Sequence, residues 1–568
     1  MPETTAPHST GPLRKRRSTT RPRPRRGAAP PHDEQPTLPI AAEALVPPAA
    51  LLPRHGARLR TWAAVHGTSL ALVAALLLVL ALVLGIGIER YPALSDDEGT
   101  YVAQAWALLN DGSLAHYTYW YDHPPLGWIQ LAVAGWLLDP VLGGGAAVAQ
   151  ARDLMLIPAL AGAALLYLLA RRLGLRRGFA AAAVLLFGLS PLAISSLRTV
   201  YLDNLATPWI LAAFVLAASP ERRLWAYAAS GACFAVALLT KETSLLVLPG
   251  LVLLARQGLD ARTKAFCMTA FGTMLVLLAL GYPLYATLKG ELLPGEGHVS
   301  LLEAVRFQLY GRASTGSALD PGSLSHELAT SWLHTDPWLL GMGVLLVPAA
   351  LFVARLRPVA VTLLVLVAMG VRPGYLPQPY VIALLPFCAL VAAGVANAAW
   401  ESVRFRRWLR PAVAAAGLLV LVTAAPEWRS GAGHAMTQDQ TAPVLAAERW
   451  VERNVDHRAR LLVDDTLYVD LVEAGFRPRF GVVWFYKLDF TTNLDPSVAR
   501  NLPQGWRAFD YVVSTRVIRS ALQRNPAGLQ QVRRAVRESK PVATFGSGTG
   551  RVEVRRIVGE GTGSGLIR

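Results

Sequence analysis

Cysteine is almost missing from this chain. Cys233, Cys267 and Cys388 are the only three in 568 residues. Each lies in an apolar stretch, so neither a disulfide framework nor a Cys-rich metal site can be built, and all three read as small buried hydrophobes. Charge is scarce as well: 16% of residues are charged against 53% hydrophobic, and the mean hydropathy is +0.36. These values exclude a string of soluble domains and make most of the chain membrane protein. Lysine is scarcer still, with six (Lys15, Lys241, Lys264, Lys289, Lys487 and Lys540) among 55 basic residues. No Gly-rich phosphate loop precedes a helix, so no nucleotide cofactor is indicated, and no internal repeat is evident.

The formal charge of +17 raises the question of nucleic acid, and its distribution decides it. A basic cluster opens the chain, from Arg14-Lys15-Arg16-Arg17 to Arg26, interleaved with Pro, Gly and Ser. This composition predicts a disordered cytoplasmic tail over 1–63, with no nucleic-acid partner. About sixty residues precede the first apolar span, which argues against a cleaved signal.

That first span, Thr68 to Ile88, carries no charge and has about the 20 residues needed to cross a hydrocarbon core. Further spans are expected near 153–170, 178–194, 203–218, 224–239, 243–255, 265–285, 337–353, 359–371, 379–398 and 411–425. Arginine sets the sidedness, because short cytoplasmic loops accumulate Lys and Arg. If Leu126–Leu142 does not cross, five basic connections fall on the side of the N-terminus: 171–177, 222–223, 256–264, 355–357 and 404–410. The expectation is a polytopic α-helical protein of the cell membrane over 64–426. It has about eleven spans, a cytoplasmic N-terminus, and juxtamembrane helices in a first outer loop, 89–152. After Pro426 the hydropathy falls. Strands near 460–464, 509–514, 541–545 and 551–557 alternate with helices near 441–454, 466–474 and 526–538. This predicts a soluble, extracytoplasmic α/β domain over 427–568.

The outer loops then collect ionisable groups, which cost about 2.5–3.5 kcal/mol each at membrane depth and are usually functional or paired. The most informative stretch is Ser95-Asp-Asp-Glu98 with Tyr101, followed by Tyr121-Asp-His-Pro-Pro-Leu-Gly-Trp128. Carboxylates opening a helix gain from its dipole and free amides, so a capping cluster explains them without chemistry. Arg152 invites pairing with Asp153, and Lys241 with Glu242 as a snorkelling lysine. Arg312 and Arg372 sit in loops where arginines are commonly solvated. His123 with Asp96, Asp97, Glu98 and Asp122 offers oxygen and nitrogen donors for a divalent metal, although the spacing follows no metal motif.

These motifs resemble a known family, the membrane glycosyltransferases of the C-type superfamily that use polyprenyl-phosphate sugars. Protein O-mannosyltransferases and the lipid A aminoarabinose transferase are among them. The resemblance lies in Asp97-Glu98 with Tyr101, in His123-Pro-Pro-Leu126, Arg152 and Asp203, and in Leu239-Thr-Lys-Glu242. Arg312 and Tyr375-Leu-Pro extend it more weakly downstream. It implies transfer of one sugar from a polyprenyl-phosphate donor to a hydroxyl of a protein, polysaccharide or glycolipid, by one inverting displacement. By the resemblance Asp97 is the base, with Glu98 and Asp203 orienting sugar or acceptor. Asp96, an extra acid, leaves the choice between the two aspartates open. Arg152 and Lys241 lead for the phosphate, and Tyr101, His123, Arg312 and Arg372 complete the substrate-binding set. Two readings from other classes stand beside it: a secondary transporter or lipid-linked sugar flippase, and a non-catalytic membrane scaffold.

Overall fold

The computed structural model describes residues 54–142, 146–257, 259–402, 410–489 and 496–558. The basic cluster of 14–26 lies outside the described residues, and the chain divides into units 1–63 and 64–568.

Every apolar segment expected to span is helical, but proline and local breaks cut several short. Among the described residues, six helices are long and apolar enough to cross a membrane: Gly67–Gly85, Ala147–Arg172, Ala261–Leu288, Ala354–Val371, Gln378–Ser402 and the stretch Arg410–Asn454. A seventh arises if Arg177–Leu189 and Pro191–Leu197, bent by 64°, form one span. Pro191 removes an amide and clashes with the preceding turn, which accounts for the bend. Leu126–Leu138, Leu202–Ala217 and Leu224–Thr240 are apolar but shorter. The packed side chains of the bundle are mostly Leu, Ala, Val and Phe, so dispersion and close approach hold it together. The last long helix, Arg410–Thr437, continues through Pro426, eleven residues past the break expected from hydropathy.

The segment after it folds around a five-stranded sheet in the order β2-β1-β3-β5-β4. The strands are β1 Leu461–Val463, β2 Val482–Trp484, β3 Tyr511–Ser514, β4 Ser539–Phe545 and β5 Val552–Ile557. β1 is parallel to β2 and β3, which requires helical crossovers, while β5 runs antiparallel to β3 and β4. Strand alternation divides the apolar side chains. Leu461, Val463 and Val513 face one core, and Leu462 and Val512 face another with Ile518, Val532 and Ala535.

The first of these cores includes the loop helix Asp96–Asn110 and the helix Leu126–Leu142. The sheet therefore packs directly on the first loop. Three contacts show how tightly. Tyr117 bridges strand β2, donating to the Val482 carbonyl at 3.0 Å and accepting from the Trp484 amide at 2.9 Å. Trp106 donates to Glu473, and a Cβ on Gly99 would stand 2.2 Å from the backbone of Asp465 and Thr466. Only glycine permits that approach. Gly99→Ala is expected to lower the thermal unfolding midpoint in detergent, at the overpacking cost of about 1–3 kcal/mol. Gly135→Ala, with nothing within 4 Å, should leave it unchanged; equal midpoints for the two variants would refute the close seating.

Candidate active site

Ser95 precedes the loop helix, and three carboxylates occupy its first turn. Their surroundings separate them into three roles. Glu98 is fully buried and points back: Oε2 accepts from the Ser95 amide at 3.0 Å and hydroxyl at 3.2 Å, and Oε1 accepts from the Val200 amide at 3.0 Å. Arg152, also fully buried, donates Nε to Oε1 at 2.8 Å and Nη2 to Oε2 at 2.7 Å. The remaining guanidinium donors reach the Pro92 and Ala93 carbonyls. Arg152 thus pairs with Glu98, not with Asp153 as the adjacent charge suggested, and its donors are committed within the protein.

Asp96 turns toward the sheet, where Oδ1 accepts from Trp484 Nε1 at 3.0 Å. Burial, with the nearby charges of Asp465, Asp464 and Asp97, raises its carboxyl well above the ordinary value. Asp465 beside it is buried and accepts from Thr100 at 3.0 Å and meets His116 Nε2 at 3.1 Å. Asp97 alone of the three is exposed.

Around Asp97 the chain gathers groups far apart in sequence. His123 sits between two neighbours, with Nδ1 2.9 Å from Glu242 Oε2 and Nε2 3.1 Å from Lys241 Nζ. The turn that presents it is rigid: Tyr121 holds a left-handed φ of 63°, and the His123 carbonyl accepts from Tyr119 at 2.6 Å and Tyr282 at 3.2 Å. Burial alone would lower the Lys241 ammonium. Glu242, Asp203 and Asp97 outweigh it and hold it above the ordinary lysine value, against an opposing effect from Arg312. For Glu242, enclosure works upward, but His123 and Lys241 bring the carboxyl down to about 2. Lys241 does not bond Glu242 directly; His123 links them.

Tyr101 is buried 6.1 Å from the His123 ring, centroid to centroid. Burial, then Asp97, Asp122, Asp203 and Glu242, push its phenol far up, so it remains a proton donor. Asp203 is buried, and its Oδ2 has no hydrogen-bond partner among the described residues. Arg312 stacks over Tyr375 at 3.8 Å and reaches Gln308 at 2.8 Å, which in turn donates to the Asp122 carbonyl. Arg372 is exposed and bonds the neighbouring Pro373 carbonyl. The structure therefore brings Asp97, Tyr101, His123, Asp203, Lys241 and Arg312 together, turns Asp96 and Glu98 away, buries Arg152, and leaves Arg372 exposed. Among the described residues, no group of three or more His, Cys, Asp or Glu is arranged to hold a metal. Sequence reading missed Glu242 as a site member, although it adjoins Lys241. It also missed Asp465, His116 and Trp484, for which a double aspartate at a strand end was the only signal.

Residues 122–285 match the model of the family described as dolichyl-phosphate-mannose-protein mannosyltransferase. That stretch contains His123, Arg152, Asp203, Lys241 and Glu242. The crystal structure of ArnT from Cupriavidus metallidurans in the apo state superposes with a TM-score of 0.54 at 16% identity, covering 87% of this chain and 98% of that one. The same protein bound to undecaprenyl phosphate gives 0.53 at 16% identity, covering 88% and 100%. The chain shares the fold of ArnT. The resemblance read from the motifs is borne out. No curated protein sequence matches significantly.

Two outcomes are expected. Arg152→Met leaves Glu98 buried without its cation, at a cost of about 3–5 kcal/mol, and adding Glu98→Gln should restore much of the unfolding midpoint; no recovery in the double variant would argue against the pair. Asp96, with its folded-state value raised, favours folding while protonated. Its contribution is complete below the ordinary 3.8 and is lost as pH rises toward the raised value. Asp96→Asn, which keeps the acceptor for Trp484, should flatten that decline in a pH series of unfolding midpoints.

Proposed function

We propose that this protein is an integral-membrane glycosyltransferase that moves one sugar from a polyprenyl-phosphate donor to an acceptor hydroxyl, on the outer face of the cytoplasmic membrane. The observation that carries the reading is the exposed Asp97 carboxylate, set within electrostatic reach of Lys241, whose ammonium lies beside His123. A sugar phosphate already has a competent leaving group, so the protein must supply a base for the acceptor and cations for the departing phosphate. Asp97 is the base. Lys241 and Arg312 take the phosphate charge, and Glu242 and His123 fix where the ammonium sits. Asp203, with its unpartnered oxygen, and the Tyr101 hydroxyl orient the sugar or acceptor. Glu98 and Arg152 act as the frame that aims Asp97. By the family resemblance the displacement is single and inverting.

In this reading the chain spans the membrane eleven times, with the bent pair, the shorter helices Leu202–Ala217 and Leu224–Thr240, and the broken apolar segments 242–256 and 337–352 counted beside the six long helices. The N-terminus is cytoplasmic, and the loop helix and sheet are outside. The ArnT structure bound to undecaprenyl phosphate supports a lipid-linked donor. The acceptor is a protein, polysaccharide or glycolipid hydroxyl.

The test is release of polyprenyl phosphate from a panel of polyprenyl-phosphate sugars by the protein in nanodiscs. Asp97→Asn should reduce turnover by about 10²–10⁴-fold, the usual weight of a general base, while donor binding persists. Lys241→Ala should weaken binding and turnover together. Full activity in Asp97→Asn would sink the base assignment, and no turnover with any donor would sink the transferase reading.

A further inference from the structure

The face of the sheet turned away from the loop helix has an unusual charge. Residues 500–558 contain twelve Arg or Lys and three Asp or Glu. All three acids are engaged: Glu538 with Arg537, Glu553 with Arg551 and Arg555, and Asp510 with the Arg460 amide. The helices Arg516–Arg524 and Gln530–Arg537 cover this face. Their apolar residues Ile518, Ala521, Val532 and Ala535 are spent on the sheet, while Arg516, Arg524, Arg533, Arg534 and Arg537 are exposed.

Beside the second helix lies a cavity of about 410 Å³, within the range of about 300–1,000 Å³ typical of ligand clefts. Leu488 and Leu502 give it an apolar part, Gln504 and Gln531 supply carboxamides, Arg507 and Arg534 supply cations, and none of its lining residues is acidic. The cavity wall is built. Asp489 accepts from the Gln531 and Val532 amides at 2.9 and 3.1 Å, and the Gln531 side chain accepts from the Trp506 amide at 3.3 Å. Gly505 makes this fit possible: its φ is 57°, and a Cβ would stand 2.7 Å from Gln531 Oε1. The Arg507 guanidinium lies 4.8 Å from the Trp506 ring centroid.

We infer that this cavity binds an acidic saccharide, a sugar bearing carboxylate or phosphate, as the part of the acceptor held away from the reacting hydroxyl. The inference rests on the transferase reading for the word acceptor, but the binding chemistry stands on the cavity. Each lining arginine can match a carboxylate or phosphate in bidentate geometry, carboxamides match hydroxyls, and the sheet joins this wall to the loop helix through Trp484 and Asp96. An anionic lipid surface fits less well, because the exposed helix faces carry arginine and little apolar area to enter a bilayer.

The experiment uses the full chain in zwitterionic-lipid nanodiscs, with fluorescent oligogalacturonate as probe and unlabelled inorganic polyphosphate and phosphatidylglycerol vesicles as competitors. Saturable binding that weakens with salt is expected. Arg507→Gln with Arg534→Gln should reduce it about tenfold, for two lost charge-assisted contacts. Arg516→Gln, on the same face outside the cavity, should change it little. Gln531→Ala should weaken the oligosaccharide more than polyphosphate. Unchanged binding in the double variant overturns the inference, as does a preference for vesicles that oligogalacturonate cannot displace, or a Gln531→Ala variant indifferent to the sugar. Donor release is read separately: no glycan binding by the unaltered chain with donor turnover intact defeats this inference alone, and glycan binding without donor turnover defeats the transferase reading alone.

Discussion

One buried ion pair sets the geometry on which the rest of the site depends. Glu98 and Arg152 are both removed from water, a state that is costly unless every lone pair and proton is answered. Here each is: the carboxylate receives Ser95, Val200 and two guanidinium donors, and the guanidinium also closes on two carbonyls. The pair therefore locks the start of the loop helix to the helix Ala147–Leu154 and to the chain entering Leu202. Asp97, one residue earlier, has no comparable partner among the described residues and projects where the lock leaves it. Of three adjacent acids, the two that are held make the third available.

The sheet completes that frame from the other side. Asp96 and Asp465 approach each other under a raised carboxyl value, while Trp484, Thr100 and His116 distribute hydrogen bonds between them. Such a junction tolerates little displacement, because each buried polar group would lose a partner. The α/β segment is thus part of the wall behind the site, and its two faces differ in chemistry: apolar and hydrogen-bonded toward the loop helix, cationic away from it.

The membrane character, the loop helix and most strands are legible in the sequence because they follow from burial pattern alone. The segments 461–463 and 511–514 are short apolar runs flanked by polar residues, and 552–557 opens with apolar and polar residues in alternation, whereas β2 runs on into Phe485 and Tyr486 without a polar boundary, and the helix Arg516–Arg524 sets Val517, Ile518, Ala521 and Leu522 among arginines. The site residues are legible as types. Their partners are not, since Glu98 meets Arg152 across 54 positions and His123 meets Glu242 across 119, and no local rule spans such distances. Arg152 illustrates the limit: its neighbour Asp153 was the obvious partner in sequence, and the three-dimensional one lies on another helix. Span lengths blur for a similar reason, because prolines such as Pro191 interrupt helices whose composition is continuous.

The seat of Gly99 against Asp465 also has a consequence in time. Thr100 and Asp465 are 365 positions apart, so at synthesis rates of about 5–20 residues per second the loop helix waits roughly 20–70 s for the surface it fits. Through that interval the growing chain has its loop helix made and its back wall missing. Asp96, later enclosed, stands open to water and ionises freely. The polar first turn, with its run of acids, suits that wait, because carboxylates left in water carry no desolvation cost until the last strands cover them.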